Sequence, residues 1–135
     1  MSQSPAFEQL VAAAAAQPDR QVLLFVFAGA ELPSDASAAQ RVSFEAGSGG
    51  ELTPLMCVEK APDELSTFDA LVKESLAAGP PWQVLFAAGL GGKAEQPPSS
   101  QAVEAALKTM VERVRNGTVD AFLALSAEGD QISFV

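Results

Sequence analysis

The residue types that carry most enzyme chemistry are scarce in this sequence. It has no histidine, no tyrosine and one cysteine, Cys57. A serine triad cannot be assembled without histidine, and no Ser-x-x-Lys occurs to support serine–lysine chemistry. A catalytic thiol needs a histidine, a basic neighbour or a helix N-terminus to lower its pKa. Cys57 lies instead in the apolar run Leu55-Met56-Cys57-Val58, which predicts a buried structural thiol. One cysteine excludes an internal disulfide and a Cys cluster, and the missing histidines remove the usual nitrogen ligands of zinc, copper and haem. Glu31, Asp35, Glu59, Asp63 and Glu64 are the carboxylates left for Mg²⁺, but no Asp-x-Asp spacing joins them, and Asp63-Glu64 behind Pro62 reads as a helix start. No catalytic residue, metal site or cofactor is assigned.

Two glycine-bearing segments are the candidates for binding a small molecule. Gly89-Leu90-Gly91-Gly92-Lys93 follows an apolar run and precedes a helical one, where anion-binding loops sit. It lacks the Walker spacing and the G-x-G-x-x-G pattern, and Pro97-Pro98 stands between Lys93 and the helix, so a flexible strand-to-helix connection is the competing reading. Gly29 to Ser37, with Glu31 and Asp35, holds the corresponding place after the first apolar run. In a parallel sheet both loops would open at the carboxyl ends of strands, where α/β proteins bind ligands. Glu31, Asp35, Gly89, Gly91, Gly92 and Lys93 are therefore the expected contacts for an anion or nucleotide. Trp82, behind Gly79-Pro80-Pro81, is either an exposed interface anchor or a tryptophan at the rim of the core.

The elements that must position these residues follow from apolar spacing and breakers. Ser4 caps and Pro5 opens a helix to Gln17, with Phe7, Leu10, Val11, Ala14 and Ala15 on one face and Pro18 as its stop. Gln21 to Ala28 is apolar without alternation, as expected of a strand buried on both faces. A short helix is expected from Ser37 to Ala46. Leu52 to Val58 is a second buried-type strand, in which Pro54 marks an edge, a bulge or a late start. Pro62 or Ser66 opens a helix with Leu65, Phe68, Leu71, Val72 and Leu76 on one face, and Ser66 to Asp69 resembles a capping box.

Gly79-Pro80-Pro81 stops that helix, and Trp82 to Ala88 is the third strand. Ser99 or Ser100 caps the longest helix, striped with Val103, Leu107, Met110, Val111 and Val114 and ended by Asn116-Gly117. Val119 to Ser126 is the fourth strand, and Gln131 to Val135 returns as a terminal hairpin with Ile132 and Phe134 inward. The fold class is α/β: four helices on a mixed or largely parallel sheet of four to five strands.

The order α-β-α-β occurs twice. An offset of 61 places Phe7 on Phe68, Leu10 on Leu71, Val11 on Val72 and Leu24-Phe25 on Leu85-Phe86. An offset of 67 then places Gly50 on Gly117, Leu52 on Val119 and Val58 on Leu125. The expectation is an internal duplication of segments 4–60 and 65–126 about a pseudo-twofold axis, closed by the C-terminal hairpin. Neither half is large enough to bury its own strands, so their interface would be the core.

At 135 residues, 48% hydrophobic and 19% charged, the chain fits one domain, 1–135, with a real core. A net charge of −9 repels phosphate backbones, so nucleic acid is not an expected partner. The longest strongly apolar stretch, Val22 to Ala30, is far too short for a membrane span, and the start lacks a basic leader. A bacterial-type cytoplasmic protein is expected.

The segments Leu23 to Pro33, Gly50 to Lys60 and Gly79 to Phe86 resemble a family of small, uncharacterised proteobacterial proteins, over nearly the whole chain. Members often carry the label ribonucleotide reductase subunit alpha. The residues argue against that activity, since the reductase needs several redox cysteines and a much larger barrel. The functional expectation is a non-enzymatic interaction or accessory protein that forms a homodimer. The alternative is an anion- or nucleotide-binding protein using loops 29–36 and 89–98.

Overall fold

Ser4 is buried and its Oγ accepts the Phe7 amide at 3.2 Å, which fixes the start of helix α1, Pro5–Ala15. The computed structural model describes residues 4–31, 51–93 and 96–132. After α1 come strands β1 (Gln21–Glu31) and β2 (Glu51–Lys60), then a single 3₁₀ turn, Pro62–Glu64. Helix α2 (Phe68–Ala78), strand β3 (Val84–Gly91), helix α3 (Ser100–Asn116) and the short strand β4 (Leu123–Ser126) complete the order. The expected helix at 37–46 and Phe134 of the expected terminal hairpin lie outside the described residues.

The four strands form one sheet in the order β2-β1-β3-β4, antiparallel at each of its three pairings. This corrects the mixed or largely parallel sheet inferred from alternating strands and helices. Alternation does produce a parallel relationship, between β2 and β3, which are joined by α2. Strand β1 is inserted between them, so each hydrogen-bonded neighbour is antiparallel: a split β-α-β unit. Three of the four expected helices fall among the described residues.

Strand β1 is the centre of the molecule because both its faces are covered. Leu23, Phe25 and Phe27 face α1 and α2, in a cluster with Phe7, Phe68, Leu71, Trp82, Leu85 and Leu125. Val22, Leu24, Val26 and Ala28 face α3, with Val84, Phe86, Val103, Met110, Val114 and Ala124. The near-continuous apolar run of β1 is what two-sided burial requires. Phe7 of α1 and Phe68 of α2 meet edge-on, their ring centroids 5.4 Å apart.

Strand β2 differs from the doubly buried strand its composition predicts. Among the described residues it is an edge strand, and Leu55 is an extra residue where Phe27 pairs with Met56 and Ala28 with Pro54. Pro54 thus stands at both an edge and a bulge, the two places a sheet tolerates it. Helix α2 starts later than Pro62 or Ser66. Thr67 is its N-cap, with Oγ1 accepting the Ala70 amide at 3.0 Å, and the Glu64 carboxylate accepts the Ala61 amide at 2.8 Å in the preceding turn. Leu76, expected on the apolar face, is 51% exposed. Strand β4 is four residues long rather than eight. Residues 119–122 turn instead, Phe122 donating to the Val119 carbonyl. Ile132 returns beside β4, its amide on the Ala124 carbonyl.

Candidate functional site

The glycine segment after the third strand is not an open loop. Gly89 and Gly91 are ladder residues of β3, pairing with Leu23 and Gln21 of β1. The Gly92 amide donates to the Arg20 carbonyl at 2.8 Å, and Lys93 and Gln96 exchange both backbone hydrogen bonds in a tight turn. A Cβ on Gly92 would stand 1.9 Å from the Gln96 carbonyl oxygen. Glycine at this position therefore answers to close backbone approach, and the Gly92 and Lys93 amides at the end of the segment are already donating to backbone carbonyls. Lys93 is exposed beside this turn.

The segment after β1 lies elsewhere. Glu31 is the last residue of β1, where its backbone pairs with Glu51, and Asp35 lies outside the described residues. Because β1 and β3 are antiparallel, the carboxyl end of β1 extends past Val84 at the start of β3. The carboxyl end of β3, Gly91, lies at Gln21 instead. The sheet holds the Glu31 and Gly89–Lys93 groups at opposite ends and does not bring them together. A shared carboxyl-end site would have required parallel strands.

Trp82 is 6% exposed, so its indole is a core residue rather than an exposed anchor. Its ring lies 5.1 Å from that of Phe27, and its Nε1–H donates to Ser75 Oγ at 2.8 Å. Apolar covering by α2 and one well-placed hydroxyl absorb the whole side chain.

Cys57 departs from expectation in the other direction. It is the free thiol of an exposed position on β2, opposite Val26 of β1 and therefore on the α3 face of the sheet. Its neighbours Met56 and Val58 point to the other face and pack half-buried beside the α1–α2 cluster. Edge position, not composition, decides this exposure. The pleat alternates the run Leu-Met-Cys-Val, turning Cys57 to the face opposite Met56 and Val58, where it stands exposed. Pro54 was the one signal in the sequence pointing to an edge.

At the far end of β2 the Lys60 ammonium contacts Glu74 Oε1 of α2 at 2.7 Å. This hydrogen bond holds the Lys60 pKa above its ordinary value, against the opposing effect of burial and with further help from the charges of Glu74 and Glu64. The pair ties strand to helix. Among the described residues no three carboxylate or thiol groups converge as a metal site. No helix among them is long and apolar enough to cross a membrane.

No protein-family model, curated protein or solved structure matched this chain.

Proposed function

We propose that this is a non-enzymatic interaction protein of the bacterial cytoplasm, which pairs with a second copy of itself along strand β2. The observation that supports this reading is the edge itself. Among the described residues β2 has a single neighbour, β1, while β4 at the other margin is short and has Gln131 and Ile132 beside it. An edge strand presents unpaired backbone donors and acceptors, which natural proteins blunt with proline and bulges. Pro54 and the bulge at Leu55 blunt the first part of β2, leaving Met56 to Lys60 as the usable edge.

Antiparallel pairing of two such edges about Cys57 places Cys57 opposite its own copy and Met56 opposite Val58, each pair on one face. In the cytoplasm that thiol stays reduced. A net charge of −9 on each copy opposes association, so salt tightens the dimer. Light scattering at tens of micromolar tests the reading, with and without the diamide oxidant. The expected result is a dimer that diamide converts to a Cys57–Cys57 disulfide, and a monomer at every salt concentration overturns it.

The same reading includes the internal duplication. The order β2-β1-β3-β4 is symmetric about the β1–β3 pair, α1 and α2 each precede a central strand on the same face, and Phe7 meets Phe68 between them. The offset of 61 needs adjusting within the strands, since Leu24 faces α3 while Leu85 faces α1 and α2. An even offset keeps side chains on matching faces. At 62, Val22 falls on Val84, Leu23 on Leu85 and Leu24 on Phe86. Homologous sequences aligned half upon half should favour 62 in the strands, and an odd offset there counts against duplication.

A further inference from the structure

Helix α3 packs on the sheet face formed by Val22, Leu24, Val26, Val84, Phe86 and Ala124. Between the helix and Phe122 runs an open groove of about 340 Å³ over the end of β3. Leu24 and Met110 form buried parts of its wall, and Leu90, Ala106 and Phe122 are half-buried around them. The helix side of the groove is small at Ala105 and Ala106, which is what opens the space. Its volume falls in the range of roughly 300–1,000 Å³ typical of small-molecule sites. The groove has one charged lining residue, Arg113, exposed in the last turn of α3. Among the described residues no carboxylate lies within ion-pair distance of that guanidinium.

A lone cation at the end of an apolar channel, in a chain carrying −9 overall, has a definite complement. We infer that the groove binds a free straight-chain carboxylate, its tail along Leu24, Leu90, Met110 and Phe122 and its head on Arg113. Arginine suits this role because its planar fork donates to both carboxylate oxygens at once. The tail supplies the affinity through buried methylenes, and the head selects its sign.

The test titrates decanoate, decyltrimethylammonium and decanol into the full chain while following the methyl resonances of Met110, Leu24 and Leu90. Decanoate should saturate at one site and shift those methyls, and decyltrimethylammonium should bind at least about fivefold more weakly. Arg113→Gln, at an exposed position, should abolish that preference and leave decanol unchanged. Ala105→Trp, also at an exposed position, should block all three. Equal binding of the two charged amphiphiles by the unaltered protein overturns the inference, as do shifts confined to other methyls. Groove shifts that depend on protein concentration without any amphiphile overturn it too, because the occupant is then a second copy of the chain.

Discussion

The Trp82 indole and the Ser75 hydroxyl form a closed polar link inside an apolar cluster. Nε1–H donates to Oγ at 2.8 Å, and the same Oγ–H donates to the Val72 carbonyl at 2.6 Å. Ser75 is 2% exposed, so water does not replace it. The link joins α2 to the segment entering β3, and it is where the tryptophan's polar end is satisfied.

Ser75→Ala orphans the indole N–H in the core and should destabilise the protein by about 1–3 kcal/mol. Trp82→Phe removes the donor instead, and adding Ser75→Ala to it should then cost little. Urea unfolding of the two single variants and the double variant measures this coupling. Additive losses would show that the hydrogen bond contributes nothing of its own.

Gly92→Ala places a methyl against the Gln96 backbone carbonyl and should cost about 1–3 kcal/mol. Gly91→Ala meets only the movable amide end of Gln21 and should stay within about 0.5 kcal/mol of the parent. Thermal unfolding of both separates turn geometry from an anion-cradle role, which predicts no such contrast in the unliganded protein.

Cys57 should react with a chromogenic disulfide reagent in native buffer, without denaturant and to full stoichiometry. Cys57→Ser should change stability by less than about 0.5 kcal/mol. A thiol that reacts only after unfolding would contradict its exposed position on β2.

The Lys60–Glu74 pair sets an alkaline limit. The folded-state pKa of Lys60 lies above the unfolded value, so its contribution is complete below about 10.4. It is lost as pH rises through the raised folded value. Glu74 is 57% exposed, so solvent screening keeps the contribution to about 1 kcal/mol or less. Unfolding free energies of the parent and Lys60→Met should differ by a constant amount from pH 7 to 9 and converge above the ordinary lysine range.

Local chemistry was legible in the sequence wherever a single residue decides an outcome. Ser4 caps α1, Ser99 caps α3, and Gly117 closes α3 in the left-handed region at φ 77°. The apolar run at 21–28 correctly marked a strand covered on both faces. Strand direction was not legible, because the insertion of β1 between β2 and β3 depends on pairings 20 to 70 residues apart along the chain. The candidate site failed for the same reason. Gly89 to Gly92 carry the composition of a binding loop, but long-range pairing with Gln21 and Leu23 draws Gly89 and Gly91 into the sheet. Cys57 and Trp82 were read from their neighbours in sequence, while their exposure is set by which strand forms the margin and which helix lies above.

The insertion of β1 between two parallel strands also fixes an order of events during synthesis. One side of β1 is completed by residues up to Lys60, the other only when residues up to Gly91 have emerged. Until then the nascent chain carries Val-Leu-Leu-Phe-Val-Phe-Ala with an open flank, a segment of the kind that aggregates between chains. The most buried strand of the finished molecule is thus the most hazardous stretch of the unfinished one, and a chain cut short before β3 would be expected to precipitate rather than fold.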